Sequence, residues 1–316
     1  TTASTSRSKK GRGANAPLHF FVYLGDNVYG DTDDMSVLRK KYHQLGDKPS
    51  YKALRKEAEI LAVWDDHDYG RNDAGKNYPH KKASKQVFLD FFEEPSGSDR
   101  FAHDGIYTSE LRKVGDRTIQ FILLDGRTFR DDLKKYDPTL SGRNSFYRWD
   151  YSPHTDTSMT LLGEKQWEWL EGVLCQPADF RILATGTQFG IEANGYEAWA
   201  NFPHEQERLV KLIKKTQADH LIAISGDVHY AEISKFENRH SYPIYDVTAS
   251  GLSKKWRFAT PNRNRIEGPV MDNHFGLLTI NFTGNQPLVQ VEVWDGTGNQ
   301  RIEYTIPFEV ISFSDS

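Results

Sequence analysis

The chain has 316 residues, 37% of them hydrophobic and 13% aromatic, which is enough apolar side chain for one sizeable core. A formal net charge of −4 gives no general field for attracting nucleic acid or an anionic membrane, so any phosphate recognition has to come from a local site. The single cysteine, Cys175, excludes an internal disulfide partner and a cysteine-based zinc cluster. No apolar run reaches the roughly 18 residues of a transmembrane segment, and the first residues lack the apolar stretch of a targeting peptide.

Residues 1–17 are rich in Ser, Thr, Lys and Gly without apolar period and are expected to be a flexible basic tail. Residues 18–316 show no repeat and no linker and are expected to form one catalytic domain. It opens with the apolar run from His19 to Leu24, closed by Gly25-Asp26, which reads as a buried strand. Four further runs have the same character, Ile60 to Trp64, Ile119 to Leu124, Arg181 to Ala184 and His220 to Ile224. Helical periods fall between them, from Met35 to Leu45, Lys82 to Phe92, Glu164 to Leu174 and Glu205 to Thr216. Strands alternating with helices predict an α/β core whose chemistry sits beyond the strand ends. The segment from Phe129 to Thr160 reads as a long loop, with Tyr136, Tyr147, Trp149 and Tyr151 available to line a groove. From Ile244 to Val310 the pattern changes to alternating, β-branched segments between Gly, Asn and Pro turns, which predicts a meander completing a second sheet.

Three strand ends carry related sequences: LGDNVYGD from Leu24, VWDDHDYG from Val63 and ISGDVHYAE from Ile224. Strand ends of an α/β sheet converge, so Asp26, Tyr29, Asp65, Asp66, His67, Asp227 and His229 are predicted to share one site. Like charges in a dry cleft require a counter-ion, and hard oxygen donors with two imidazoles suit Fe, Mn, Zn, Ca or Mg. A tyrosine after a strand serves packing as readily as ligation, so Tyr29 admits both roles. Tyr196, Trp199 and Phe202 either wall the pocket or belong to the core.

These motifs, with Asn72-Asp73-Ala74-Gly75, Leu124-Asp125-Gly126-Arg127, Trp199-Ala200-Asn201-Phe202-Pro203 and Asn273-His274-Phe275-Gly276, resemble the calcineurin-like metallophosphoesterases, and within them the alkaline phosphatase D (PhoD-like) family. The resemblance implies a four-layer α/β/β/α sandwich and hydrolysis of phosphate mono- or diesters by a metal-activated hydroxide. It implies two or more metal ions, Fe(3+) with Ca(2+), or Mn(2+), Zn(2+) or Mg(2+). Asp26 would bridge them, with Tyr29, Asp65, Asp66, Gln188, Asp227 and His229 as the other ligand positions and His67 as the general acid. Asn27, Arg71, Asn72 and Trp199 would meet the substrate, and Asp125 with Arg127 would either form an ion pair beneath the site or contact the phosphate. The family opens with a strand bearing a first metal ligand, and this sequence shows neither of that strand's motifs, so the first strand is expected to be absent. A degenerate, non-catalytic metal- or phosphate-binding module is the alternative, which the presence of His67 disfavours. The resemblance also favours a secreted or endomembrane-lumen location, compatible with the acceptor pattern Asn281-Phe282-Thr283.

Overall fold

The computed structural model describes residues 17–136, 150–284 and 286–313, so Tyr147, Trp149 and all but the last residue of the predicted tail lie outside the described residues. In chain order the elements are β1 (Phe20–Leu24), α1 (Met35–Gly46), α2 (Pro49–Glu57), β2 (Glu59–Val63), α3 (Asp66–Tyr69), α4 (Lys81–Phe91), β3 (Thr108–Val114), β4 (Arg117–Leu123), α5 (Glu164–Leu174) and β5 (Phe180–Thr185). There follow α6 (Pro203–Thr216), β6 (Leu221–Ser225), β7 (Ala231–Phe236), β8 (Ile244–Ala249), β9 (Arg265–Val270), β10 (His274–Asn281), β11 (Leu288–Asp295) and β12 (Gln300–Pro307).

The large sheet has seven strands in the order β3-β4-β5-β6-β8-β7-β9, with β4, β5, β6 and β8 parallel and the outer strands antiparallel. Strands β5 and β6 are buried at every residue, which is why they read as largely apolar runs. A parallel pair, β1-β2, and an antiparallel meander, β10-β11-β12, form the remaining sheets. Both touch the large sheet, through β1 with β5 and through β10 with β7 and β8. This is the expected α/β class, the four-layer α/β/β/α sandwich. Among the described residues β1 is paired along one edge, by β2.

Helix α1 starts where Asp34 accepts the Ser36 N–H at 2.8 Å, and α6 starts with Pro203 in its first turn. Five elements escape the sequence reading, among them α3, a single turn of four residues within the strand-end motif. Helix α2 is short and buries only Tyr51, too little for a visible period. Strands β3 and β9 are half solvated, with Val270 as their one fully buried residue, as sheet-edge strands are, and Pro269 in β9 belongs on an edge because it lacks an N–H for a ladder. Strand β7 follows His229 so closely that its residues read as part of the strand-end motif.

Candidate metal centre

The parallel pairs bring the predicted strand ends together. Leu24 is in register with Val63, and Thr185 with Ser225, so Gly25-Asp26, Trp64-Asp65 and Gly226-Asp227 leave the sheets side by side. The glycines exist for this approach: a Cβ on Gly25, at φ +92°, would lie 2.4 Å from the Asp65 Cβ, and one on Gly226 would lie 2.3 Å from the Leu24 carbonyl oxygen. The chain then turns through left-handed conformations at Asp26 (φ 51°), Asp73 (φ 54°), Asp227 (φ 72°) and His229 (φ 57°). Such backbone is costly outside glycine and concentrates where side chains must be aimed at a site.

Tyr29 donates its hydroxyl toward Asp26 Oδ2 at 3.2 Å and lies 2.7 Å from His229 Nε2, which is itself 3.6 Å from Asp26 Oδ2. Ligand atoms of Asp26, Asp66 and His67 all lie within 4.8 Å of one another, and so do those of Asp66, Asp73 and Glu197. Asp26 Oδ1 is buried without a hydrogen-bond partner among the described residues. An orphaned carboxylate oxygen facing further carboxylates and imidazoles is the donor set a hard cation satisfies, so the residues fit the implied metal.

The protonation equilibria report the same crowding. Burial pushes the Asp26 and Asp227 carboxyls above the usual range, and neighbouring carboxylates push them further. Burial acts on Asp66 too, but Arg127, His67 and N–H donation from His67 and Asp73, at 2.9 and 2.7 Å, outweigh it and hold Asp66 low. Burial also drives Asp73 up to about 7, helped by Glu197. For His67 burial pulls downward, yet the charges of Asp66 and Asp26 and a 2.5 Å hydrogen bond between Nδ1 and Asp31 Oδ1 hold the imidazole above its ordinary value.

The two neighbouring aspartates of the opening motif part company. Asp66 belongs to both ligand trios, whereas Asp65 turns its Oδ1 to Arg127 Nε at 2.6 Å. Arg127 is completely buried and also donates through Nη1 to both Glu197 oxygens, at 2.7 and 2.9 Å. The expected Asp125 with Arg127 ion pair is therefore corrected: Asp125 accepts instead from the Trp64 indole at 3.0 Å and from the backbone N–H groups of Ile106, Arg127 and Thr128. Asp68 is tied to the Asp65 N–H, Tyr42 and Asn27, a bracing role.

The expected substrate contacts fare unevenly. Asn27 donates its amide to the Val63 carbonyl at 2.9 Å and to Asp68 at 2.5 Å, clamping β1 to β2. Trp199 is corrected to a core residue: it is 1% exposed, bonds Thr185 Oγ1 through its indole N–H at 3.0 Å and packs on Trp167 and Phe189. Phe202 is buried likewise. Arg71 is exposed and paired with Asp33, beside exposed Asn72. Gln188 donates to Glu232 Oε1 and Thr248 Oγ1, both at 3.0 Å, within a buried polar net. Tyr151 donates its hydroxyl to Asp73. Sequence reasoning passed over Asp73 as a ligand-capable group although its motif was visible, and Glu197 sits in a stretch with no recognisable signal. A cavity of about 560 Å³ lined by Arg117, Arg181, His220 and Phe308 opens at the opposite ends of β5 and β6, away from these carboxylates.

Fold and site together define an α/β/β/α sandwich protein with a metal-competent carboxylate and imidazole centre at its strand ends. The chain belongs to the PhoD-like phosphatase family, whose family model matches residues 10–263. It is 25% identical over 214 residues to alkaline phosphatase D of Bacillus subtilis (strain 168), an alignment covering 60% of this chain and 34% of that protein. The chain thus spans about a third of the length of the curated relative it matches. The solved structure of PhoD superposes with a TM-score of 0.59 at 19% identity, covering 93% of this chain and 68% of that one, a likeness of fold.

Proposed function

We propose that the chain hydrolyses phosphate mono- or diesters with the help of bound metal. The observation that carries this reading is the meeting of Asp26, Asp66 and His67 within 4.8 Å around a buried, unpartnered Asp26 oxygen, in a chain of this family. Asp26, Asp66, Asp227 and His229 would hold metal, with Tyr29 able to add a phenolate where the ion is ferric. A metal bound there lowers the pKa of water and neutralises phosphoryl oxygens. Fe(3+) with Ca(2+) would suit this donor set, which equally admits Mn(2+), Zn(2+) or Mg(2+).

The remaining work belongs to the chain's own groups. Asp31 holds His67 through Nδ1 at 2.5 Å, which fixes the ring and leaves Nε2 to act on a leaving group. With its ring held by the Asp31 carboxylate, His67 suits the general acid that would protonate a leaving alkoxide. Arg127 and Glu197 stand behind Asp65 and Asp66 and keep the carboxylates ordered.

The test is elemental analysis with turnover of two diesters differing in leaving group. His67→Ala should keep its metal while kcat falls by about 10²–10⁴-fold for an alkyl leaving group and far less for nitrophenolate, which leaves without a proton. Asp66→Ala should lose metal and turnover together. Equal losses for both leaving groups, or metal loss in His67→Ala, would make His67 a ligand. A metal-loaded wild type inert toward all esters would favour the non-catalytic alternative.

A further inference from the structure

Between β8 and β9 the chain runs Leu252-Ser253-Lys254-Lys255-Trp256-Arg257-Phe258, and every one of these residues is exposed. Water-facing Trp and Phe so close together form an apolar patch that folding alone does not explain. The patch is nevertheless fastened to the candidate metal centre. The Trp256 N–H donates to the His229 carbonyl at 3.3 Å, and the Trp256 ring centroid lies 5.8 Å from that of His229. Phe258 stands perpendicular to Trp256 at 5.9 Å, and Tyr196 closes the third side at 6.2 Å from Trp256 and 6.5 Å from Phe258. On the inner side Lys254 places Nζ 4.8 Å from the centre of the Tyr29 ring.

Four rings therefore touch in succession, His67, Tyr29, His229 and Trp256, with centroid separations of 4.5, 6.2 and 5.8 Å. His67, the proposed proton donor to the leaving group, is at one end. The aromatic wall is at the other, with Lys254 between them. A substrate that spans the row needs an anionic centre, a leaving arm beside His67 and a second arm against Trp256.

We propose that Trp256, with Phe258 and Tyr196, binds the retained arm of a phosphate diester, that this arm is a flat aromatic ring of the nucleoside or aryl class, and that Lys254 faces its phosphoryl oxygens. The proposal rests on the phosphoesterase reading of the same cleft and adds the substrate class. Braced edge to face by Phe258 and Tyr196, the exposed Trp256 ring offers a fixed platform on which a planar ring can stack, and the neighbouring Lys254, Lys255 and Arg257 complement the phosphate attached to it. Stacking of one base on an aromatic side chain changes affinity by about 5–150-fold, so a single tryptophan suffices to set a preference.

The experiment uses two diesters with the same nitrophenolate leaving group, thymidine 5′-(p-nitrophenyl phosphate) and methyl p-nitrophenyl phosphate, on the metal-loaded chain. Wild type should favour the thymidine diester in kcat/KM. Trp256→Ala should shrink that ratio by about 5–150-fold and Trp256→Phe should retain most of it. Calorimetric binding of thymidine 5′-monophosphate against inorganic phosphate gives a readout independent of turnover, and only the nucleotide should lose affinity in Trp256→Ala. Hydrolysis of both diesters at equal rates, with nucleotide binding unchanged by Trp256→Ala, overturns the aromatic wall and leaves the phosphoesterase reading standing. Nucleotide binding that depends on Trp256 without hydrolysis of either diester supports the wall and overturns the phosphoesterase reading.

Discussion

Replacing Arg127 by methionine, which has similar length and no charge, removes the cation that joins Asp65 to Glu197. The guanidinium makes hydrogen bonds of 2.6, 2.7 and 2.9 Å to these two carboxylates, and all three side chains are almost fully buried. Deleting one partner of such a buried pair leaves an uncompensated charge and costs about 3–5 kcal/mol. With unfolding entropy near 2.1 cal/mol/K per residue, a chain of 316 residues should lose about 5–8 °C in Tm. The deficit should also depend on pH. Burial lifts the folded-state pKa of Asp65, Asp26 and Asp227, and Arg127 pulls each back. A carboxyl raised in the folded state contributes stability that is complete below its unfolded pKa and is lost as pH rises through the folded value. Without Arg127 those values climb further, so the variant's deficit should grow between pH 5 and pH 8. Urea unfolding followed by tryptophan fluorescence measures it, and Arg127→Lys, which keeps the charge without the fork, should fall between the two. A loss below about 1 kcal/mol, or one that does not change with pH, would refute the assignment of Arg127 as the counter-ion of this cluster.

Asp246 offers a cleaner titration, because burial raises its carboxyl to about 6 from 3.8 while Oδ2 accepts the Phe189 and Gly190 N–H groups at 2.8 and 2.7 Å. Wild type should therefore lose up to about 3 kcal/mol as pH rises through 6, and Asp246→Asn should be the more stable protein at pH 8 but not at pH 4, read by urea midpoints. Gly226→Ala should destabilise by about 1–3 kcal/mol or more, since its Cβ would meet the Leu24 carbonyl oxygen at 2.3 Å. Gly172→Ala, inside α5 with nothing within 4 Å of the added carbon, should stabilise by about 0.5–1 kcal/mol, and thermal melts compare the two directly.

Much of this architecture is local information. A strand buried on both faces, such as β5 or β6, is apolar along most of its length, and α5 must repeat its buried Trp167, Leu170 and Leu174 at helical spacing, so both are visible in one dimension. The Gly-Asp steps after β1 and β6 are visible for a related reason: a residue without a Cβ followed by a carboxylate has little other use at the end of an apolar run. The sequence by itself thus determined the alternation of elements, the positions of Asp26, Asp66, Asp227 and His229 at strand ends and the resemblance that follows from them. Edge strands β3 and β9 were hidden because an edge strand is half solvated and imposes no apolar period. What only the tertiary structure decided is how the charges pair. Arg127 meets Asp65 across 62 positions and Glu197 across 70, Trp199 withdraws into the core, and Trp256 comes to rest against His229, none of which leaves a periodic trace. Burial of apolar surface acts on every residue of an element and is written as a repeat. An ion pair or a ring contact joins two single residues whose meeting depends on how separate strands pack, and that is settled only once the whole chain has folded.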